Sequence, residues 1–351
     1  MLIIEKQKIN DLIRTLVKNT PVYIPVRREQ KEAIESIFEK FSPEMEIDFD
    51  YLPTLLSAKE FFLSAKEDMF VFDKKENAVS SASKSKPFIL FGLNNRDLEA
   101  IRQLDEIMTK PNPDYFYLQK RAAATIVGLS NEPVKTPLGG PARIATQSVA
   151  GGDLILVKIN EEQYEAVILT EKGKELAKNK IFKNKVGIIT NAGPKSAKPE
   201  IMPQLKKLLY DPELIADAIS WSWRNDPAVW DELATLCLGC GICTYVCPLC
   251  YCFFTEDSVG LDGKECKRCR TWDACTLPKF AQISGGFNFH KTIRERYYNW
   301  YFHKFVRAYK EYGKSQCVAC GRCQKYCPAK IDIEKYLIKI VDDYKKSLNI
   351  I

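Results

Sequence analysis

The sequence predicts an α+β chain in which an α/β-like N-terminal body precedes a helical, cysteine-rich C-terminal domain. Strand-like apolar segments alternate with amphipathic segments over roughly the first 190 residues. All 13 cysteines lie between Cys237 and Cys327. Residues 189–203 are rich in Gly, Pro, Ser and Lys, as linkers between domains are. We therefore predict a body at 1–195 and a second domain at 204–351.

Strand and helix patterns alternate along the body. Apolar residues at helical spacing predict a helix over 5–18, and VYIPV predicts a strand from Val22 to Val26. A second helix is predicted from the apolar positions between Ala33 and Phe41. The later predictions are strands at Met69–Phe72, at FILFGL, within 122–129 and within 153–169, a helix capped by Asn94 or Asn95, and a lysine-rich helix from about Glu171.

Two glycine-rich segments interrupt the body, a GGP at Gly139 to Pro141 and the pair Gly151-Gly152. A phosphate-binding loop would need a P-loop lysine or a G-x-G-x-x-G between a strand and a helix. Neither pattern is present, so we interpret both segments as turns. The sequence also contains no flavin or nicotinamide fingerprint.

Two cysteine runs organise the C-terminal domain. CLGCGICTYVCP and CVACGRCQKYCP both have the spacing C-x2-C-x2-C-x3-C-P, which in bacterial ferredoxins holds 4Fe-4S clusters. Small residues between the cysteines allow backbone N–H groups to approach the sulfurs. Zinc sites favour two separated C-x2-C pairs, and disulfides occur in oxidising compartments. We therefore predict two 4Fe-4S clusters.

The fourth cysteine of such a run usually ligates the other cluster in two-cluster proteins. The predicted ligands of the first cluster are Cys237, Cys240, Cys243 and Cys327, and those of the second are Cys317, Cys320, Cys323 and Cys247. This crossed ligation predicts a short electron path within the domain. A long helix from about Lys291 to Tyr312 and a last helix containing Ile333 to Val341 complete the predicted helical two-cluster ferredoxin-type domain.

Five further cysteines lie between the runs and outside the eight predicted ligands: Cys250, Cys252, Cys266, Cys269 and Cys275. Three hypotheses stay open for them. Four of them hold a third cluster, or two close pairs hold a structural zinc, or they are buried, unligated thiols. Counts of iron and zinc per chain separate these hypotheses.

Net charge and composition indicate which kinds of partner and which compartment to expect. The formal charge is +7, and two thiolate-bound clusters bring it to about +3, which gives no support for nucleic-acid binding. The segment MLIIEKQKIN lacks a leader pattern, and no segment approaches the about 18 apolar residues of a membrane span. Thiol-rich motifs fit a reducing compartment. We expect a cytoplasmic protein without nucleic-acid binding or a membrane span.

The segment CLGCGICTYVCPLCYCF resembles the iron–sulfur beta subunit of soluble NiFe sulfhydrogenases and the related A subunit of anaerobic sulfite reductase. The resemblance continues through WDAC, GGFN and HKF, with weaker similarity in SAKEFFLSAKEDMFVF and FGLNNRDLEAI. It implies an electron-transfer subunit that carries two 4Fe-4S clusters. Its implied partners are a flavin-containing or ferredoxin-type redox subunit and a catalytic oxidoreductase subunit of the hydrogenase or sulfite-reductase type.

The chain departs from this family in its N-terminal body. Arg96 precedes Asp97 where the family tends to have a cysteine, and Ser130 stands where further cysteines are expected. The resemblance therefore carries no cluster ligand over to the body.

No catalytic residue is predicted. His290 and His303 are interpreted as surface or hydrogen-bonding residues, and Trp300, Tyr301 and Phe305 as core or interface aromatics. The alternative function is a cluster-based reductase, in which the additional cysteines hold a third, substrate-facing cluster.

Overall fold

The computed structural model describes residues 2–30, 33–51, 53–81, 85–130, 151–184 and 201–349. The chain divides into two compact units. The first unit comprises Met1–Phe62 with Lys84–Glu200, and the second comprises Leu63–Ser83 with Ile201–Ile351. The first unit is built on a large sheet and the second contains most of the helices, which confirms the predicted fold class.

The described part of the first unit contains a sheet of eight strands. These are β1 (Leu2–Glu5), β2 (Val22–Gln30), β3 (Ala33–Lys40), β6 (Phe88–Leu93), β7 (Ala124–Ser130), β8 (Leu154–Lys158), β9 (Gln163–Ile168) and β10 (Lys183–Asn184). Their order is β10-β1-β9-β8-β7-β6-β2-β3. The central strands β2, β6, β7 and β8 pair in parallel, and the outer pairs are antiparallel. A parallel centre with helical crossovers is the α/β-like arrangement that the alternating pattern predicts.

Four α-helices accompany this sheet in the described residues: α1 (Ile9–Leu16), α2 (Asn95–Thr109), α3 (Tyr115–Ala123) and α4 (Glu171–Ala177). Short 3-10 helices lie at Lys6–Lys8 and Ala58–Phe61. The apolar face predicted for α1 is buried in the core. Asn94 caps α2, because its side-chain oxygen accepts a hydrogen bond from the Asp97 amide at 3.0 Å.

The predicted helix from Ala33 to Phe41 is wrong. Ala33–Lys40 is strand β3, which pairs antiparallel with β2 from Tyr23↔Lys40 to Gln30↔Ala33. Pairing along this whole length satisfies the backbone groups of the segment, and its Ile and Phe side chains suit a pleated surface. Tertiary pairing therefore overrides the helical spacing of the apolar residues.

The glycine pair at 151–152 lies where two backbones approach each other closely. A Cβ on Gly151 would stand 2.1 Å from the carbonyl oxygen of Leu98 on α2. This steric limit explains the glycine without a ligand and supports the turn interpretation. The GGP segment at Gly139–Pro141 lies outside the described residues.

The second unit is mainly helical. Its α-helices are α5 (Pro203–Leu208), α6 (Pro212–Asn225), α7 (Pro227–Leu236), α8 (Ile242–Tyr245), α9 (Ile293–Tyr301), α10 (Ala308–Tyr312), α11 (Arg322–Lys325) and α12 (Ile333–Ser347). A π-helical segment, Phe302–Arg307, joins α9 to α10, so the predicted long helix is present with a wider turn inside it. Trp300, Tyr301 and Phe305 are buried in the core, as predicted.

The second unit also contains a four-stranded sheet, which the prediction of a helical domain does not include. Its strands are β4 (Lys66–Asp73), β5 (Ala78–Ser81), β11 (Phe253–Val259) and β12 (Glu265–Trp272), in the order β11-β12-β4-β5. Strand β4 pairs with β12 from Glu265↔Asp73 to Thr271↔Lys66. The buried ion pair of Arg270 and Glu67 strengthens this connection.

The segment Leu63–Ser83 therefore differs from the predicted domain division. It falls within the predicted N-terminal body, whereas its backbone pairing groups it with the C-terminal residues. Among the described helices, none combines the length and the apolar character that a bilayer span requires.

Candidate iron-sulfur site

The two cysteine runs adopt the same local backbone. Gly239 and Ala319, each two residues after the first cysteine of its run, have φ values of 62° and 49°. Gly241 and Gly321 have φ values of 80° and 76° and begin the short helices α8 and α11, which carry the third cysteines. The repeated left-handed positions curl each loop around its cysteines.

Backbone N–H groups approach the sulfurs in both runs. The amide of Gly239 donates to Cys237 Sγ at 3.4 Å, and the amide of Ala319 donates to Cys317 at the matching position. Hydrogen bonds of this kind stabilise thiolates and tune the reduction potential of a bound cluster. Ala319 adopts a conformation that residues other than glycine seldom adopt, and such backbone strain occurs preferentially at functional sites.

One cavity in the second unit is lined by cysteines of both runs. These are Cys237, Cys240 and Cys243 from the first run and Cys323 and Cys327 from the second. No carboxylate or imidazole side chain occurs among the described residues that line it. Thiolate sulfur is the donor that holds 4Fe-4S clusters, so the residues fit this group. The crossed ligand assignment stays a prediction, and this lining supports it for the first cluster.

Cys247, from the first run, lies close to cysteines of the second run. Burial raises the pKa of Cys317 to about 11 and that of Cys323 well above its usual range, and the thiolate of Cys247 contributes in the same direction. Lys304 Nζ lies 3.3 Å from Cys247 Sγ and 3.0 Å from the carbonyl oxygen of Gln316, the residue before Cys317, so Cys247 lies beside the start of the second run. This arrangement supports the second predicted ligand set.

The buried thiols resist ionisation without a metal. Burial raises the pKa of Cys243 to about 12, and the neighbouring thiolates of Cys237 and Cys240 add to the shift. A thiolate is nevertheless the form that binds iron. The positive charge of the irons offsets the lost hydration, so cluster binding is expected to release protons from these cysteines.

The five additional cysteines occupy two kinds of position. Cys252 is hydrogen-bonded to the buried Cys275, and Cys250 Sγ lies 4.0 Å from the ammonium nitrogen of Lys304. Cys266 and Cys269 lie on β12, where Cys269 Sγ donates to Asp68 Oδ1 at 3.0 Å. The hypotheses of a third cluster, a structural zinc and unligated thiols all stay open.

Within the described ranges, no group of three His, Cys, Asp or Glu side chains is placed to hold a single metal ion. A mononuclear site requires its ligand atoms to converge on one ion, at about 2.3 Å for zinc and sulfur. A cuboidal cluster instead takes one thiolate at each of its four irons. Its four sulfurs therefore stand further apart than the ligands of one ion.

Lys304 is a buried lysine beside the thiols that the sequence does not predict as part of the site. Its Nζ lies 3.3 Å from Cys247 Sγ and 3.0 Å from the carbonyl oxygen of Gln316. Burial alone would lower the pKa of Lys304, but the thiolates of Cys247 and Cys250 outweigh it and raise the pKa well above the usual value. The HKF tripeptide marks the position in the sequence, yet the burial of a lysine is not visible there.

His303 is a largely buried histidine in the same π-helical segment. Its Nε2 lies 3.5 Å from the Tyr251 hydroxyl, which agrees with the predicted hydrogen-bonding role. Burial lowers the pKa of His303 from 6.5 to about 4, and the nearby charges of Arg307 and Lys304 contribute to the same shift.

This shift predicts that the second unit loses stability between pH 6.5 and pH 4. In that window the unfolded chain binds a proton at His303 and the folded chain does not, so stability falls as pH falls, by up to about 3 kcal/mol. His303→Gln should reduce this dependence. Thermal unfolding of anaerobic protein at pH 7 and pH 5, followed by circular dichroism, measures it. An equal loss of thermal stability in both proteins would contradict the prediction.

The region around the two cysteine runs matches a known protein family. Residues 236–331 match the family model of the 4Fe-4S dicluster domain. The C-terminal region contains a 4Fe-4S dicluster domain. The cofactor class predicted from the cysteine spacing is thereby confirmed.

The likeness extends beyond the dicluster domain. Over 328 residues, which cover 93% of this chain and 93% of the relative, the sequence is 29% identical to sulfhydrogenase 2 subunit beta of Pyrococcus furiosus. This similarity confirms the resemblance found in the sequence. No solved structure matches the chain significantly.

Proposed function

We propose that the chain is an electron-transfer subunit of a multi-subunit oxidoreductase, which relays single electrons through two 4Fe-4S clusters. The main support for this proposal is that cysteines of both runs line one cavity. These are Cys237, Cys240 and Cys243 from the first run and Cys323 and Cys327 from the second. Ligands shared between two runs hold two clusters close together. The thiol and apolar lining suits electron transfer, because a 4Fe-4S cluster itself supplies the redox chemistry.

The relative supports the choice of partners. A subunit called beta, in an enzyme called sulfhydrogenase, belongs to an assembly, and similarity over nearly the whole chain favours a similar role here. The proposed partners are a catalytic subunit of the hydrogenase or sulfite-reductase type and a flavin-containing or ferredoxin-type redox subunit. The proposed docking region is the N-terminal body, predicted as residues 1–195, apart from Leu63–Ser83, which pair with the C-terminal residues. The proposed compartment is the cytoplasm, where thiols stay reduced.

The direct test measures cofactor content and electron delivery. Anaerobically purified protein should contain about eight irons and eight acid-labile sulfides per chain, with the EPR signals of two clusters after reduction. Mixed with an excess of an oxidised acceptor whose potential lies well above those of both clusters, the reduced protein should deliver two electrons per chain.

Two outcomes would change the assignment. Clusters that are reduced but deliver no electrons would refute the relay. About twelve irons per chain would place a third cluster on the additional cysteines and favour the alternative, a cluster-based reductase with a substrate-facing cluster. That alternative further requires a spectral change when sulfite or a disulfide is added to the isolated chain.

A further inference from the structure

Lys304 brings a buried positive charge into contact with a predicted cluster ligand. Its side chain is 4% exposed, and its Nζ lies 3.3 Å from Cys247 Sγ and 4.0 Å from Cys250 Sγ. Taking an ammonium group out of water is costly unless opposite charge or hydrogen-bond acceptors replace the water. The position is therefore suited to a site that carries negative charge.

The surrounding structure fixes this ammonium group in place. Lys304 lies in the π-helical segment Phe302–Arg307, and π-helical turns are rare and frequently found at functional sites. Its Nζ donates to the carbonyl oxygen of Gln316 at 3.0 Å and lies 5.4 Å from the ring centroid of Trp300. Each of these contacts restricts the position of the charge relative to Cys247.

Gln316 connects the three segments that meet at this point. Its backbone N–H donates to the backbone carbonyl oxygen of Lys304 at 2.8 Å. Its side-chain Nε2 donates to the backbone carbonyl oxygen of Leu249 at 2.6 Å. It also directly precedes Cys317. The π-helical segment, the loop after Cys247 and the start of the second run are thus held together by one buried glutamine.

The buried positive charge near the first cysteine run is that of Arg296, and its contacts differ from those of Lys304. Arg296 is also buried, but its guanidinium donates to the carbonyl oxygens of Thr276 at 3.0 Å and Lys291 at 2.8 Å. These carbonyl dipoles offset part of its charge. Arg322, which is 1% exposed, belongs to the second run. The two predicted clusters therefore have unequal surroundings.

The geometry points to Lys304 as the residue that raises the reduction potential of the cluster held by Cys247 and the second run. That cluster becomes the electron-accepting end of the pair. Reduction adds one electron to a cluster, and a fixed positive charge in a low-dielectric interior stabilises the added negative charge. This inference rests on the proposed two-cluster relay, and it adds a direction to electron transfer within the domain.

The test is Lys304→Met in the full chain, reconstituted anaerobically and titrated electrochemically with EPR detection. Methionine keeps much of the side-chain length and removes the charge. One midpoint potential should become more negative and the other should stay unchanged. The distribution of one electron between the clusters should change by about tenfold or more, equivalent to about 59 mV for a one-electron couple.

Lys325→Met is the matched control, because it removes the same charge from an exposed lysine within the second run. Water and salt screen that charge, so the potentials should move much less. Equal shifts for Lys304→Met and Lys325→Met, or unchanged potentials in Lys304→Met with both clusters present, would overturn the inference.

A second pair of variants tests the same inference if Lys304→Met loses its clusters. Lys304→Gln keeps a hydrogen-bond donor without the charge, and Lys304→Arg keeps the charge. The midpoint potential of the cluster held by Cys247 and the second run should fall in Lys304→Gln and stay unchanged in Lys304→Arg. Equal potentials in these two variants would overturn the inference. Fewer than two clusters in the unmodified chain would refute the proposed relay itself, which is a separate outcome.

Discussion

Replacing Cys327 by alanine is expected to remove the cluster of the first cysteine run and to leave the cluster of its own run in place. Crossed ligation makes Cys327 the fourth ligand of Cys237, Cys240 and Cys243. The cavity that these four cysteines line supports this arrangement. Alanine offers no ligand atom, so one iron of that cluster loses its thiolate and the cluster is lost.

Four single variants distinguish crossed from uncrossed ligation. With crossed ligation, Cys327→Ala and Cys237→Ala retain the same cluster, and Cys247→Ala and Cys317→Ala retain the other. Each variant should contain about four irons per chain in place of about eight. The EPR spectra of reduced protein should therefore fall into two classes, paired across the runs.

Cys266→Ala is the control, because Cys266 lies on strand β12 and outside the eight predicted ligands. It should keep about eight irons under the two-cluster proposal. Spectra that pair Cys327→Ala with Cys317→Ala would show that each run holds its own cluster. A fall from about twelve irons in the unmodified chain to about eight in Cys266→Ala would assign this residue to a further cluster, and a fall from about eight to about four would make it a ligand of one of the two.

The chemistry of the site is readable from the sequence because it depends on local spacing. The intervals between the cysteines predict the cluster type, and the dicluster match at residues 236–331 confirms the iron–sulfur class. The apolar spacing of Ile9, Leu12 and Ile13 likewise predicts α1, and Asn94 marks the start of α2. Each of these features is encoded within a few consecutive residues.

Features that depend on distant residues are not readable in the same way. Strand β4 pairs with β12, about 200 positions further along the chain, so no local pattern places Leu63–Ser83 with the C-terminal residues. Helical spacing in Ala33–Lys40 is overridden by pairing with β2. The burial of Lys304 beside Cys247 depends on a π-helical turn and on Gln316, which only the folded chain brings together.

Trp230→Ala is expected to destabilise the second unit by about 3–5 kcal/mol. Trp230 lies on α7, is fully buried and belongs to the core of this unit. Its ring packs edge-on against Tyr298 and Tyr301 of α9, with centroid distances of 5.0 Å and 5.2 Å. Its Nε1 donates to Ser222 Oγ of α6 at 3.1 Å. Alanine leaves a cavity between three helices and removes these contacts.

The effect should reach the cluster site, because Cys237 directly follows the last residue of α7. A loosened helix holds its terminal cysteine less firmly, so Trp230→Ala should release iron faster than the unmodified chain under mild urea. Trp230→Phe is the control, since it keeps an aromatic ring and loses the indole N–H. Its expected cost includes about 1 kcal/mol for that hydrogen bond.

Urea unfolding followed by far-UV circular dichroism, together with the rate of iron release, measures both effects. A large loss of stability in Trp230→Ala with a small loss in Trp230→Phe would show that ring packing stabilises the helices around Cys237. Equal losses in the two variants would attribute the stability to the hydrogen bond with Ser222. Unchanged iron release in a clearly destabilised Trp230→Ala would show that the cluster loop is held independently of α7. In that case the second run and the cluster itself would fix the position of Cys237.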